Sequence, residues 1–205
     1  MTSHIRSSAF VFMALAAGHS MAQQAPGGNA PLALQRDETR ASTGATIQVS
    51  SPTIQPNAPI PFRHSAYGDG ISPSISWTAV PGARSYALVT EDPDAKPVMV
   101  VHWLAWNIPA NVTHLPEGLP AQPRLSRPAG VVQGKNTKGS PGFAGPRPPV
   151  GDRPHHYHFQ VLALDAMLDL PAGSDRDQLL AAARGHVLAK GELIGTFQQA
   201  TQPQK

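Results

Sequence analysis

Hydrophobic and polar residues alternate in short runs along much of the chain, which predicts β-strands joined by turns. Residues 46–50 (TIQVS) and 75–77 (ISW) alternate, and residues 86–89 (YALV) form a short apolar run between turn signals. The longest β-rich segments are residues 98–106 (VMVVHWLAW) and 156–164, where alternate residues from 157 to 163 share an apolar face. Residues 98–106 are apolar on both faces, which is typical of a central buried strand.

One segment near the C-terminus has the spacing of an amphipathic helix. We expect Ser174 to cap it, because a serine hydroxyl can accept from the first free N–H groups of a helix. The helix should end before Gly191, with a last strand over residues 192–197 and a tail over 201–205. Its apolar stripe is Leu179, Leu180, Ala183, Val187 and Leu188.

The first 22 residues have the features of a secretory signal peptide. A short polar start with His4 and Arg6 precedes an apolar run over residues 9–17, and small residues follow before the predicted cleavage site after Ala22. About nine apolar residues are too few to span a membrane, which takes about 20. The sequence thus predicts a periplasmic or secreted protein, with a flexible lead-in over 23–44 and one folded domain over 45–200.

Composition narrows the function classes. The chain has 22 Pro and 18 Gly in 205 residues, which disfavours long helices, and the stretch from Pro109 to Pro154 holds many of them. No Cys is present, so disulfides, thiol nucleophiles and thiolate metal sites are excluded. The net charge of +3 is small and not clustered, and it therefore gives no indication of nucleic-acid binding.

Three groups of polar residues interrupt or end the apolar strands. They are residues 91–94 (EDPD), His102, and His155 with Tyr157. If these groups converge, a carboxylate, two imidazoles and a phenol form a small pocket that can hold the oxygens of an anion. Singly, Asp-Pro-Asp is more often a turn and a strand histidine more often a core residue. Spacing alone leaves both interpretations open.

Taken together, six separated motifs resemble the phosphatidylethanolamine-binding proteins, in particular their bacterial Raf-kinase-inhibitor-like branch. The motifs occur in the order and approximate spacing of that family, between about residues 46 and 197. They are residues 92–95 (DPDA), 102–109 (HWLAWNIP), 134–136 (GKN), 145–151 (GPRPPVG), 155–157 (HHY) and 163–165 (ALD). A chance match of several ordered motifs is improbable, although each alone is weak.

The resemblance implies a mainly β fold in which a large central sheet packs on a smaller one, with one C-terminal helix and long Pro/Gly-rich loops. It also implies a small anion pocket for phosphate-type head groups or other small oxyanions, with no cofactor. Two residues of the pocket region depart from the family pattern. Arg147 replaces a frequent Cys and so adds a cation near the mouth, where it either favours anions or points to solvent, and Lys96 separates Ala95 from Pro97. Carried over by position, Asp92, His102, His155 and Tyr157 bind the ligand, Asp94 supports the turn, and Pro146, Pro148 and Pro149 form the wall.

Other functions stay open at this point. Asp92 and His155 can be read as the acid–base pair of a phosphoester hydrolase, although no Gly-x-Ser-x-Gly motif is present. Zinc binding by His155, His156 and His158 is disfavoured, because successive strand residues face opposite sides: His156 and His158 share a face, while His155 points away. Inhibition of a protease, contact with a host protein and formation of a homodimer are compatible with the sequence, which specifies no partner.

Overall fold

Nine strands form two sheets in the computed structural model, which describes residues 30–200. The signal peptide predicted over 1–22, the first residues of the lead-in and the tail over 201–205 lie outside the described residues. The strands are β1 (Val49–Ser50), β2 (Ala58–Pro59), β3 (Ile75–Trp77), β4 (Ser85–Asp92), β5 (Val100–Pro109), β6 (His114–Leu115), β7 (Val132–Gln133), β8 (His155–Leu164) and β9 (Val187–Phe197).

The large sheet has the strand order β2-β9-β8-β4-β5-β7, and the small sheet has the order β1-β3-β6. All pairings are antiparallel except that of β2 with β9. The predicted mainly β fold with two sheets and one helix is confirmed. No helix among residues 30–200 has both the length and the apolar character needed to cross a membrane.

The central strands β4, β5 and β8 are buried on both faces of the large sheet, as the apolar pattern of residues 98–106 predicts. One face packs against the small sheet. Its core includes Tyr86, Trp103, Tyr157, Phe159, Ile75 and Trp77. The opposite face, with Leu104, Trp106 and Leu162, is covered by the helix and by the segment that precedes the first strand.

The helix, α1 (Arg176–Ala183), is shorter than predicted. Its cap is Asp175 rather than Ser174, and Asp175 and Gln178 form a reciprocal capping box. Gly185 has a φ of 79°, a conformation that stops a helix at little cost, and the chain turns there into β9. Val187 and Leu188 therefore belong to a strand, although their spacing continues the helical stripe.

Residues 30–44 belong to the predicted flexible lead-in, and the structure places them against the large sheet. Two 3₁₀ turns, Ala33–Gln35 and Asp37–Thr39, lie against the sheet with Ala33 and Thr39 buried. Backbone hydrogen bonds attach this segment: the N–H of Ala33 donates to Glu91 Oε2 at 2.8 Å and that of Leu34 to Gln160 Oε1 at 2.9 Å. Hydrogen bonds of this kind do not require apolar residues at a regular spacing, so the hydrophobic pattern of the sequence gives no sign of them.

Candidate functional site

The ends of the three central strands bring the predicted polar residues together. Asp92 is the last residue of β4, His155 the first of β8, and His102 the third of β5. Because β4 pairs antiparallel with both neighbours, its end lies beside their beginnings, with Asp92 opposite Val100 and Glu91 opposite His158. The convergence that spacing left open therefore follows from the strand order.

These strand ends open into a cavity of about 380 Å³. Asp92, His102 and His155 line it, together with Pro148 and Pro149 of the predicted wall. Three of the predicted residues, Asp94, Pro146 and Tyr157, are not among its lining residues within 30–200. Ten further residues complete the lining, of which only Arg147 was expected near the mouth: Ala95, Lys96, Val100, Val101, Thr137, Lys138, Ala144, Gly145, Arg147 and Asp152.

His155 lies between two carboxylates. Its Nδ1 is 2.8 Å from Asp92 Oδ2, and its Nε2 is 3.2 Å from Asp152 Oδ2. Burial disfavours the charged imidazole, but the hydrogen bond and charge of Asp92, followed by those of Asp152, outweigh it and raise the pKa of His155. Both nitrogens then donate, so His155 is a cation in the cavity wall.

His102 is neutral, in contrast to His155. Burial is the main reason that the pKa of its imidazole falls below the ordinary 6.5. Its Nδ1 is 2.5 Å from the carbonyl oxygen of Ala144, which can only accept, so Nδ1 carries the proton. Nε2 is therefore a lone-pair acceptor, and it is buried with no hydrogen-bond partner among residues 30–200. In this state His102 Nε2 accepts a hydrogen bond, whereas both nitrogens of His155 donate.

Tyr157 packs against His102 and does not line the cavity. The two rings pack edge to face with centroids 5.1 Å apart. The Tyr157 hydroxyl is buried and has no hydrogen-bond partner in the described part of the chain. Burial, with the charge of Asp92 adding to it, raises the pKa of Tyr157, so the phenol is neutral. Its position stabilises the orientation of the His102 ring.

The carboxylates of Asp92 and Asp94 stabilise the turn after β4 through hydrogen bonds. Asp92 Oδ1 accepts from the backbone N–H groups of Asp94, at 2.9 Å, and Ala95, at 3.1 Å. Asp94 in turn accepts from Arg153, at 2.7 Å, and from the backbone and ring of His156. Although partial burial opposes it, these bonds lower the pKa of Asp94 to about 2. The predicted supporting role of Asp94 therefore has a direct contact as its basis.

The Pro-rich wall is attached to the neighbouring loop by Tyr67. The Tyr67 hydroxyl donates to the carbonyl of Pro148 at 2.7 Å, and the Arg147 guanidinium lies 5.9 Å from the Tyr67 ring centroid. Pro146 contributes through its carbonyl, which accepts from the backbone N–H of Ala66 at 2.9 Å. The wall therefore keeps its position with few side-chain torsions left to order upon binding.

Of the basic residues around the cavity, the sequence predicted only Arg147 to lie near its mouth. Lys96, Lys138 and Arg147 are exposed side chains that line the cavity. Lys96 comes from the connection between β4 and β5, and the other two come from the connection between β7 and β8. With His155 they make four cationic groups, against Asp92 and Asp152 as the acidic ones. Asp152 could have been suspected, since it stands three residues before His155, but spacing does not distinguish it from an ordinary loop acid.

The three clustered histidines do not meet at a common point. His156 Nδ1 is 2.7 Å from Asp94 and His158 Nδ1 is 2.9 Å from Glu192, whereas His155 contacts Asp92. Within residues 30–200, no group of three or more histidines and carboxylates is placed to hold a metal ion. The arrangement instead suits an anion that contacts one imidazolium, one neutral imidazole and several flexible cations.

The two cavity histidines should titrate on opposite sides of the ordinary histidine pKa. We expect His155 to hold its proton above about pH 6.5 and His102 to stay neutral below it, with the proton on Nδ1. Two-dimensional ¹H–¹⁵N spectra of the imidazole nitrogens across this pH range measure both. An Nε2–H tautomer for His102, or coincident titration of the two rings, would contradict this assignment.

Comparisons with known proteins agree with this architecture. The model of the family described as phosphatidylethanolamine-binding protein matches residues 50–198. A UPF0098 protein from Methanothermobacter thermautotrophicus is 45% identical over 141 residues, covering 68% of this chain and 91% of the relative. The crystal structure of Escherichia coli YbcL, described as a member of the mammalian PEBP family, superposes with a TM-score of 0.68 at 35% identity, covering 75% of this chain and 99% of YbcL.

A further relative is named as a lipoprotein. LppC of Mycobacterium tuberculosis, whose name assigns it provisionally to the lipoproteins, is 33% identical over 160 residues. The match covers 78% of this chain and 76% of LppC.

Proposed function

Because the chain belongs to the phosphatidylethanolamine-binding protein family, we propose that it is an exported, non-enzymatic protein whose cavity binds small oxyanions, including phosphate-type head groups. The observation that carries the proposal is the joint placement of cationic His155 and unpartnered His102 in one cavity. Hydrogen bonds from a charged donor are stronger in a desolvated wall than in water. Lys96, Lys138 and Arg147 attract an anion to the mouth.

Asp92 and His155 are the two groups that would act as acid and base in hydrolysis. Both are already engaged in hydrogen bonds within the protein, which favours a binding role. Asp92 already accepts three hydrogen bonds, from two backbone N–H groups and from His155. His155 is protonated between two carboxylates and has no lone pair to remove a proton from water. A panel of phosphomonoesters should therefore show no turnover. Hydrolysis that is abolished by Asp92→Asn would overturn the non-enzymatic assignment.

Binding can be tested by calorimetric titration of the exported protein with inorganic phosphate and with phosphorylethanolamine. We expect saturable binding at one site, and a loss of about tenfold or more in affinity for His102→Phe and His155→Gln, since a hydrogen bond to a charged group contributes about 1.5–3 kcal/mol. His186→Phe is the matched control, because His186 is half exposed and contacts only Asp165 among the described side chains. Absence of binding, or equal losses in all three variants, would refute the proposal.

Asp152 competes with a bound anion for His155. Its carboxylate occupies Nε2 from a flexible exposed position, so a ligand oxygen must displace it. We therefore expect Asp152→Ala to raise the affinity for phosphate severalfold. Asp165→Ala is the matched control, since it removes the same charge from another carboxylate–histidine pair, 2.8 Å from His186. Equal gains in the two variants would mean that only net charge had changed, and the competition would be rejected.

A further inference from the structure

The hydrogen-bond chemistry of His102 restricts which oxyanion the cavity can hold. The carbonyl of Ala144 fixes the proton on Nδ1, so Nε2 offers a lone pair. That lone pair is buried and has no hydrogen-bond partner among residues 30–200. An acceptor left unsatisfied in a protein interior is unfavourable, and a ligand that donates to it removes the cost. The ligand therefore needs a proton of its own.

The groups around His102 decide what kind of ligand that is. Cationic His155, Lys96, Lys138 and Arg147 favour a negative charge, whereas Asp92 and Asp152 repel an anion that brings only lone pairs. An anion that also carries an acidic O–H satisfies both requirements: its charged oxygens face the cations, and its hydroxyl donates to an acceptor.

We propose, on the basis of the proposed function, that the cavity selects singly protonated phosphate monoesters or inorganic phosphate over phosphate diesters and sulfates. A phosphate monoester near neutral pH keeps a P–OH in a large share of molecules, because its second pKa is about 6. Sulfate esters and phosphate diesters have the negative charge and the tetrahedral shape but no proton to donate. Bound here, they leave His102 Nε2 unsatisfied.

The selection has a consequence for lipids. The phosphate of an intact phospholipid is a diester, whereas the phosphate of a free phosphorylated alcohol is a monoester. The cavity is therefore built for free phosphomonoesters, or for a lipid that ends in one, rather than for the diester head group of a membrane phospholipid. An ethanolamine ammonium is another donor that could reach the acceptor, and the ligand series below tells the two apart.

Two ligands of equal charge and nearly equal size isolate the proton. At about pH 5, methyl phosphate is mainly a monoanion with one P–OH, and methyl sulfate is a monoanion with none. Calorimetric titration of wild-type protein should give methyl phosphate about tenfold to 100-fold higher affinity, the cost of one unsatisfied buried group. In His102→Phe the two affinities should converge. Glycerophosphoethanolamine, a diester that keeps the ammonium, should bind as weakly as methyl sulfate.

Each outcome has a distinct meaning. Equal affinity for methyl phosphate and methyl sulfate in wild-type protein overturns the selection but leaves anion binding intact, whereas no binding of either ligand refutes the proposed function. Strong binding of glycerophosphoethanolamine assigns the donor to the ammonium and also overturns it. Should His102→Phe fail to fold, the ¹⁵N resonance of His102 Nε2 in wild-type protein decides, since it must shift with methyl phosphate and not with methyl sulfate.

Discussion

Arg176→Met should lower the free energy of unfolding by about 3–5 kcal/mol, because it leaves a buried carboxylate without its counter-charge. Arg176 Nε donates to Glu91, whose side chain is fully buried, and Arg176 Nη2 donates to the carbonyl of Pro31 at 2.6 Å. The same carboxylate accepts from Ala33 N–H and from Gln160 Nε2. This ion pair therefore joins β4, β8, the helix and the N-terminal segment, directly beside Asp92.

Urea unfolding followed by circular dichroism measures the change, with the m-value checked for constancy. Arg184→Met is the matched control: its pair with Glu38 is at 3.0 Å, but its side chain is 68% exposed, so the loss should stay below about 1 kcal/mol. Adding Glu91→Gln to Arg176→Met should restore part of the stability, because a neutral amide needs no counter-charge. Equal effects of Arg176→Met and Arg184→Met would show that the buried pair is unimportant.

Gly145→Ala should both destabilise the protein and weaken anion binding. A Cβ at this position would lie 2.4 Å from the carbonyl oxygen of His64 and 2.7 Å from the backbone nitrogen of Ala66. These are backbone atoms, which cannot move aside as a side-chain end can. The Pro-rich wall must then shift and take with it the Ala144 carbonyl that orients His102. We expect a loss of about 3 kcal/mol, the upper end of typical overpacking effects.

The control for this substitution is Gly44→Ala. Apart from its two chain neighbours, no heavy atom of residues 30–200 lies within 4 Å of a Cβ placed there, and the φ of Gly44 is not in the left-handed region. Its unfolding free energy and phosphate affinity should match those of the wild-type protein. If Gly145→Ala keeps wild-type affinity for phosphate at a temperature where it is folded, the wall does not position His102, and that part of the description is wrong.

The sequence predicted the strands better than the segments between them. The apolar runs that contain His102 and Tyr157 are long enough to define buried strands, and the strand ends then place Asp92, His102 and His155 at one edge. The helix end was mispredicted because Val187 and Leu188 continue a helical stripe by chance of spacing. Arg184-Gly185 is the signal that could have corrected it, since Gly just past the last turn commonly ends a helix.

The roles of the site residues were less predictable than their positions. A histidine in a strand carries no sign of which nitrogen holds its proton, and the state of His102 depends on the Ala144 carbonyl, 42 residues away. The contact of Asp152 with His155 was not predictable from the sequence either, because it arises from the loop conformation. Docking of residues 30–44 escaped notice because it rests on backbone hydrogen bonds to Glu91 and Gln160, which leave no pattern along the chain.

A crystal structure of the protein soaked with arsenate shows whether the cavity holds an oxyanion between the two histidines, because arsenate has the shape and protonation of phosphate and arsenic can be located by its anomalous scattering. We expect one strong arsenic peak in the cavity, with arsenate oxygens in hydrogen-bond reach of both His102 Nε2 and His155 Nε2 and with the Asp152 carboxylate displaced. An empty cavity at saturating arsenate, or a peak held only by exposed lysines with the Asp152–His155 contact intact, would contradict this expectation.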